Sequence, residues 1–221
     1  MFVSSGAPRT KIEAMKRFGA ELRLCADYDE AERQAKQAEP LESAIYISPY
    51  SHPDVIAGAG TIGLELHEQH GPLGAVVVPI GGGGLVSGIG TAMKALSPST
   101  KVIGVEVAAS CPFTRSLEAG RLVSIDVKPS LADGLTGNLD PDTMTLDIVR
   151  QVVDDIVLVE EDDLRRALAG VVTREHVLIE GAAAAGAAAV LAGKIRTTGD
   201  AAVILSGANI DQSTLIDVLR G

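Results

Sequence analysis

Short runs of apolar and β-branched residues alternate along this chain with longer segments whose apolar residues recur at helical spacing. The clearest strands are predicted at residues 75–79, 101–107, 156–159 and 201–205, and the first of them, Ala-Val-Val-Val-Pro, has no charged or polar position. Such a strand is covered on both faces, as in a parallel sheet between layers of helices. The pattern therefore predicts an α/β protein with a twisted, mostly parallel sheet flanked by helices.

The same alternation and the capping residues predict the remaining elements. Further strands are expected at residues 21–25 and 44–48, and helices at residues 8–18, 27–39, 53–69, 85–96, 160–172, 179–193 and 211–219. Residues 121–142 contain several turn-forming pairs, including Asp133-Gly134 and Asp140-Pro141, and are expected to form a long functional loop.

Charge and cysteine content narrow the class of partner. The 221 residues carry a formal net charge of −10. An acidic surface repels nucleic-acid phosphates and anionic lipid head groups, so we expect neither nucleic acid nor a membrane as a partner.

Cys25 and Cys111 form no C-x-x-C pair, which favours reduced thiols over a disulfide framework or a zinc site. Without a long apolar run or a secretory leader, a soluble, cytoplasmic protein is expected.

Four consecutive glycines, Gly81, Gly82, Gly83 and Gly84, separate the apolar strand from a helix that begins near Leu85. Glycine permits positive φ angles and a close approach of the backbone to a ligand. Successive free N–H groups in such a turn form an anion-binding concavity, and the helix N-terminus adds further donors. One or two glycines would suffice for close strand–helix packing. We therefore predict that this tetraglycine loop (residues 81–84) binds a phosphate or carboxylate group.

A second glycine pattern, G-x-G-x-x-G at residues 58–63, matches the dinucleotide-binding fingerprint. That fingerprint follows a strand and precedes an acidic residue by about 20 positions. Only residues 55–57 separate the pattern from Pro53, and no acidic residue lies near position 83. A helix with small residues at a packing contact is the preferred interpretation, and an NAD-dependent enzyme is disfavoured.

Six sequence blocks resemble one known family. They are G-A-P with F-G-A-E at residues 6–8 and 18–21, I-A-G-A-G-T at 56–61, V-P-I-G-G-G-G-L at 78–85, L-A-D-G at 131–134, L-I-E at 178–180 and L-S-G-A-N at 205–209. They occur in the order found in the threonine dehydratase/serine racemase family. The resemblance implies a lyase dependent on pyridoxal 5′-phosphate (PLP), with the tryptophan-synthase-β fold (PLP fold type II). It also implies a homodimer, with residues 1–50 as the remnant of a small domain and 51–221 as the large PLP-binding domain.

The resemblance also implies roles for individual residues. Backbone N–H groups of the tetraglycine loop and Leu85 would bind the cofactor phosphate. Ser206, with Gly207, would face the pyridine nitrogen, Glu180 would lie near the ring, and Gly134 would belong to the loop that shapes the active site. Taken alone, Ser206 and Gly134 would be assigned to turns and Glu180 to a helix N-terminus. Members of the family convert threonine or serine to a 2-oxo acid and ammonia by β-elimination.

Two family motifs are absent from the sequence. The Schiff-base lysine of the family lies in an S-F-K-x-R-G-A block well over a hundred residues before the tetraglycine, and an S-x-G-N-H loop packs under the ring. The 80 residues that precede the loop contain neither block. The lysines are expected to be solvated, and none matches the catalytic position: Lys11, Lys16, Lys36, Lys94, Lys101, Lys128 and Lys194. The chain therefore looks N-terminally truncated, has no candidate catalytic residue, and is expected to be inactive alone.

Two further positions depart from the family pattern. Glu106 matches one acid of a divalent-cation site found in some members, but its partner acid is replaced near Cys111, so no conventional metal site is predicted. Tyr50 stands where some relatives direct an Asn at the cofactor, which leaves the substrate open. A non-catalytic PLP-binding or interaction module is the alternative function. Such a module would be a degenerate paralogue, or half of a split enzyme that associates with a separate N-terminal segment.

Overall fold

The computed structural model describes residues 1–221. The strands are β1 (Phe2–Ser4), β2 (Arg23–Cys25), β3 (Ala75–Pro79), β4 (Lys101–Val107), β5 (Asp155–Val159) and β6 (Ala201–Val203). The α-helices are α1 (Arg9–Arg17), α2 (Tyr28–Glu42), α3 (Pro53–His70), α4 (Gly84–Leu96), α5 (Pro112–Ala119), α6 (Thr145–Val152), α7 (Glu161–Gly170), α8 (Gly181–Leu191) and α9 (Gln212–Arg220). None of these helices combines the length and the hydrophobicity needed to cross a bilayer.

The main sheet has four strands in the order β5-β4-β3-β6, and every neighbouring pair is parallel. All five residues of β3 and six of the seven of β4 are buried, as expected for central strands covered on both faces. Strands β1 and β2 form a separate parallel pair. The predicted class, a mostly parallel α/β fold flanked by helices, is confirmed.

Two compact units make up the chain. The first contains residues 1–47 and 209–221, and the second contains residues 48–208. In the first unit the backbone N–H of Thr10 donates to Asp211 at 3.0 Å, just before α9 begins. The second unit contains the four-stranded sheet and the hydrophobic core around it. The division into family domains at residues 50 and 51 stays a prediction.

The structure lacks one predicted strand, contains two helices that were not predicted, and confirms one predicted loop. Residues 44–48 form no strand. The alternating apolar residues that predicted one are not buried within this chain, since Ile45 and Ile47 are 81% and 61% exposed. Helices α5 and α6 were not predicted, because eight residues span too few turns for a periodic pattern. The long loop at 121–142 is confirmed, apart from a 3-10 helix at Asp133–Leu135.

Close packing between α3 and α4 explains the second glycine pattern. A Cβ on Gly88 would lie 2.2 Å from the carbonyl oxygen of Ile56 and 2.6 Å from the amide nitrogen of Gly60. A Cβ on Gly63 would lie 2.7 Å from the Cβ of Ala92. The pattern lies inside a helix with two of its glycines at the interface, so the helix-packing interpretation is confirmed. This contact sets the position of α4, whose N-terminus follows the tetraglycine loop.

Candidate functional site

The tetraglycine loop joins the carboxyl end of β3 to the N-terminus of α4. Gly83 precedes the helix with φ +85° and ψ −5°, in the left-handed region that residues with a Cβ rarely adopt. A Cβ at this position would also lie 2.4 Å from Cζ of Phe113. Both the backbone conformation and the surrounding space therefore require glycine at residue 83.

Six consecutive backbone N–H groups, those of residues 81–86, donate no hydrogen bond within the chain. The amides on either side are paired: Ile80 donates to the carbonyl of Val105 at 2.8 Å, and Ser87 donates to that of Gly83 at 2.9 Å. Backbone donors that find no partner in the protein bind water or a ligand. Because these donors also lie at the positive end of the α4 dipole, the geometry of the loop is suited to an anion.

Three side chains from distant parts of the sequence support the loop. The ring of Tyr50 occupies the space where Gly82 would carry a Cβ, with Cγ 2.2 Å from that position. Phe113 fills the equivalent space at Gly83, and the hydroxyl of Thr145 donates to the carbonyl of Gly82 at 2.8 Å. Sequence reasoning missed these contacts, since no local pattern links residues that lie 30 to 60 positions from the loop.

Tyr50 is itself fixed in place. Its side chain is buried, and its hydroxyl accepts a hydrogen bond from the backbone N–H of Asp140 at 3.1 Å. The side chain therefore forms part of the wall that holds the loop. Its place in that wall assigns no substrate.

The structure brings Gly134 to the tetraglycine loop. A Cβ on Gly81 would lie 2.9 Å from the carbonyl oxygen of Gly134, so the two backbones are in contact. The loop that carries Gly134 is anchored by Glu161 at the start of α7. The Glu161 carboxylate accepts hydrogen bonds from the hydroxyl of Ser130 and, at 2.9 Å, from the N–H of Leu131. Glu161 is a supporting residue that sequence reasoning also missed.

Ser206 lies at the same edge of the sheet, just beyond β6. The N–H of Ile204 donates to the carbonyl of Val77 at 3.0 Å, and extending this parallel register places Ser206 beside Ile80. Neighbouring strands are about 4.8 Å apart. The exposed Ser206 therefore lies one strand away from the residue that precedes the tetraglycine loop.

Glu180 and Gly207 are in direct contact. The N–H of Glu180 donates to the carbonyl of Gly207 at 2.9 Å, and a Cβ on Gly207 would lie 2.6 Å from Oε1 of Glu180. Glu180 precedes α8, but its side chain makes no capping hydrogen bond. The structure thus groups Glu180 with the segment that carries Ser206, and it groups Gly134 with the tetraglycine loop.

Glu106 is fully buried on β4 and faces the N-terminus of α5. Its carboxylate accepts hydrogen bonds from the N–H of Phe113 at 2.9 Å, the N–H of Thr114 at 2.8 Å and the hydroxyl of Thr114 at 2.6 Å. Burial raises the pKa of this carboxyl above its ordinary value of 4.5, although the hydrogen bonds oppose the shift. No group of three or more His, Cys, Asp or Glu side chains is placed to bind a metal ion.

The raised pKa predicts a pH-dependent contribution to stability. The folded state binds the Glu106 proton more tightly than the unfolded state, so this contribution is complete below about pH 4.5 and is lost as the pH rises through the folded-state pKa. In Glu106→Gln the contribution is removed, so the difference in unfolding free energy between wild type and variant should change between pH 4 and 8. Urea unfolding across that range measures it, with the exposed Glu68→Gln as control. A constant difference would contradict the assignment.

The chain is similar to known proteins over nearly its whole length. The family described as pyridoxal-phosphate dependent enzyme matches residues 1–207. The L-threonine ammonia-lyase of Geobacter sulfurreducens is 38% identical over 222 residues, which cover 100% of this chain and 55% of that protein. The catabolic L-threonine dehydratase of Escherichia coli K12 is 39% identical over 220 residues, which cover 96% of this chain and 66% of that protein. The chain therefore spans between about half and two thirds of the length of these relatives.

A solved structure shows the same architecture. Maize serine racemase superposes with a TM-score of 0.88 at 30% sequence identity, covering 99% of this chain and 68% of that one. The match extends over the four-stranded parallel sheet and the loop that precedes α4, because nearly the whole chain is aligned.

Proposed function

Because this chain belongs to the family of pyridoxal-phosphate-dependent enzymes, we propose that residues 81–86 bind the phosphate group of PLP. The observation that carries the proposal is the run of six N–H groups without partners at the end of a buried parallel strand. The family is PLP-dependent, and this loop fits a phosphate, since its glycines leave the N–H groups open and its donors need no Lys or Arg.

The remaining site residues are assigned by their position around that loop. PLP, when bound, supplies an electron sink for bonds at the α-carbon of an amino acid. The Ser206 hydroxyl is proposed to meet the pyridine nitrogen, and Glu180 and Gly134 to border the ring. A neutral hydroxyl cannot fix a positive charge on that nitrogen as a carboxylate would. This property favours β-elimination, in which negative charge at the α-carbon is relieved quickly.

The relatives' names point to the substrate class. A threonine ammonia-lyase and a threonine dehydratase are identical to this chain at more than a third of the aligned positions. For a protein of the relatives' full length we propose loss of the β-hydroxyl from threonine or serine, giving a 2-oxo acid and ammonia. We extend the domain assignment in the same way, with residues 1–50 belonging to a small domain and residues 51–221 to the PLP-binding domain.

Residues 1–221 by themselves are proposed to bind PLP without this turnover. The reaction requires a lysine amine at the cofactor. Lys94 and Lys194 are held elsewhere, by Asp154 at 2.6 Å and by the carbonyl of Leu158 at 2.7 Å, and Lys101 begins β4 at the opposite edge of the sheet. The atoms nearest to the Cβ positions of the four glycines belong to Tyr50, Phe113, Gly134, Leu135 and Thr145, and none of them to a lysine.

The test measures binding and turnover separately. We expect the chain to bind PLP more tightly than pyridoxal, which lacks the phosphate, and to form no 2-oxobutanoate from L-threonine. Borohydride reduction followed by peptide mass mapping should find no single modified lysine. Robust turnover, or one specific lysine adduct, would show that the chain carries a catalytic amine.

The alternative is a non-catalytic interaction module. Phe18 and Leu41 in the first compact unit are 85% and 82% exposed, and apolar surface of this kind favours association. The partner would be a second copy, giving a homodimer, or a separate segment that carries the lysine. A stable chain that binds no PLP in the same titration would support this alternative over the first proposal, and light scattering would distinguish a homodimer from a monomer that needs a separate segment as its partner.

A further inference from the structure

A cavity of about 730 Å³ lies at the amino edge of the main sheet, opposite to the tetraglycine loop. Its walls are the segments that precede or begin three parallel strands: residues 72–74 before β3, residues 99 and 101 at β4, and residues 196–200 before β6. Small-molecule sites in proteins have volumes of roughly 300–1,000 Å³. The cavity therefore has the size of a ligand site, and no residue of the candidate cofactor site lines it.

The walls are tied together by hydrogen bonds. The hydroxyl of Thr100 donates to the carbonyl of Leu73 at 2.8 Å and accepts from its N–H at 3.2 Å. The N–H of Gly74 donates to the carbonyl of Asp200 at 2.8 Å, and the N–H of Lys101 donates to that of Gly74 at 3.2 Å. The three segments are thus held in one arrangement, which lowers the entropic cost of binding a ligand.

Two cations line the cavity in a chain whose net charge is −10. Lys101 and Arg196 form no direct ion pair, although Lys101 lies close enough to Asp154 to interact with its carboxylate electrostatically. Asp200 is the one acidic residue of the lining, so the balance within the cavity is positive. This local reversal of the overall charge favours an anionic ligand.

Neutral donors complete the lining. The exposed hydroxyls of Ser99 and Thr198 belong to it, whereas Oγ1 of Thr197 is buried beside Gly74, 2.6 Å from the position that a Cβ would take there. The N–H groups of residues 196–199 also donate no hydrogen bond within the chain, and Gly199 has φ +92°. Unpaired amides around a glycine of positive φ form a concavity suited to an anion.

We propose that this cavity binds the phosphate group of a small organic phosphate, at a site separate from the PLP site. A tetrahedral oxyanion can accept from an ammonium, a guanidinium, hydroxyls and backbone N–H groups at once, and Lys101, Arg196, Thr198 and the amides of residues 196–199 supply all four kinds. Six residues of extended chain separate Gly74 from Gly81, which places the two sites roughly 20 Å apart. The inference does not depend on PLP binding.

The experiment is an orthophosphate titration followed by amide NMR of the 221-residue chain. The amides of residues 196–199 should shift saturably, independently of any shift at residues 81–86. In the double variant Lys101→Met/Arg196→Met the shifts at 196–199 should require roughly tenfold more phosphate or more, because two charge-assisted contacts are lost. The amides of 81–86 should respond as in the wild type and thereby show that the variant is folded.

The matched control is Lys16→Met/Arg17→Met, which removes the same charge from the exposed last turn of α1. This variant should bind phosphate like the wild type. Equal weakening in both double variants would show only a general charge effect and would overturn the proposal. Shifts confined to residues 81–86 would also overturn it. If acetate at the same concentration shifts residues 196–199 as strongly as phosphate, the cavity selects carboxylates and the phosphate assignment is wrong.

Discussion

Gly83→Ala is expected to weaken PLP binding at least about 100-fold. Alanine in the left-handed conformation at φ +85° costs about 1–2 kcal/mol. The added Cβ would lie 2.4 Å from Cζ of Phe113 and 3.0 Å from Cβ of Thr145, and such overpacking costs roughly 1–3 kcal/mol more. Relief of this strain requires the loop to move, which turns the N–H groups of residues 81–86 away from a common point. PLP titration by absorbance, on protein shown to be folded by circular dichroism, measures the effect.

Gly120→Ala provides the matched control. Gly120 has φ +66° at the end of α5, and no atom lies within 4 Å of its Cβ position. Alanine at this position causes backbone strain of about 1–2 kcal/mol but no steric clash, and it lies outside the tetraglycine loop. The stability of the protein should therefore fall while its affinity for PLP stays unchanged. The phosphate assignment of the tetraglycine loop is wrong if Gly83→Ala, once folded, binds PLP as tightly as the wild type.

Gly88→Ala is expected to lower the free energy of unfolding by about 2–3 kcal/mol. A methyl group there meets the backbone of α3, at 2.2 Å from the carbonyl oxygen of Ile56 and 2.6 Å from the amide nitrogen of Gly60. A neighbouring side chain could rotate away from the added methyl group, but here the packed backbones of α3 and α4 would have to move apart. The overpacking cost therefore lies at or above the upper end of the usual 1–3 kcal/mol, and the better helix propensity of alanine offsets up to about 1 kcal/mol of it.

Gly58→Ala is the control for helix propensity. Gly58 lies in α3 with no atom within 4 Å of its Cβ position, so alanine should stabilise the protein by about 0.5–1 kcal/mol. Urea unfolding of both variants should therefore give changes of opposite sign. A destabilised Gly58→Ala, or a Gly88→Ala variant as stable as the wild type, would contradict the packing that positions α4.

The tetraglycine loop and the residues assigned to the cofactor site could be recognised in the sequence because each lies in a short sequence motif. The free N–H groups of the tetraglycine loop are consecutive in sequence, so the sequence alone indicates an anion site there. The predicted family is confirmed, since its blocks keep their order along the chain and the family match covers residues 1–207. The roles of Ser206, Gly207, Glu180 and Gly134 toward the cofactor stay predictions, although the structure groups these residues around the carboxyl edge of the sheet.

By itself the sequence determined the parallel sheet, the glycine loop between β3 and α4, and the family, because strands, helix ends and glycine turns depend on short stretches of chain. Only the tertiary structure showed that Tyr50, Phe113 and Thr145 hold the loop, and that residues 44–48 form no strand. The first result depends on contacts between residues that lie many tens of positions apart in the sequence. The second depends on the absence of a strand that could pair with residues 44–48. The open conformation of the loop is thus a local property, whereas its rigidity comes from side chains that the fold brings to it.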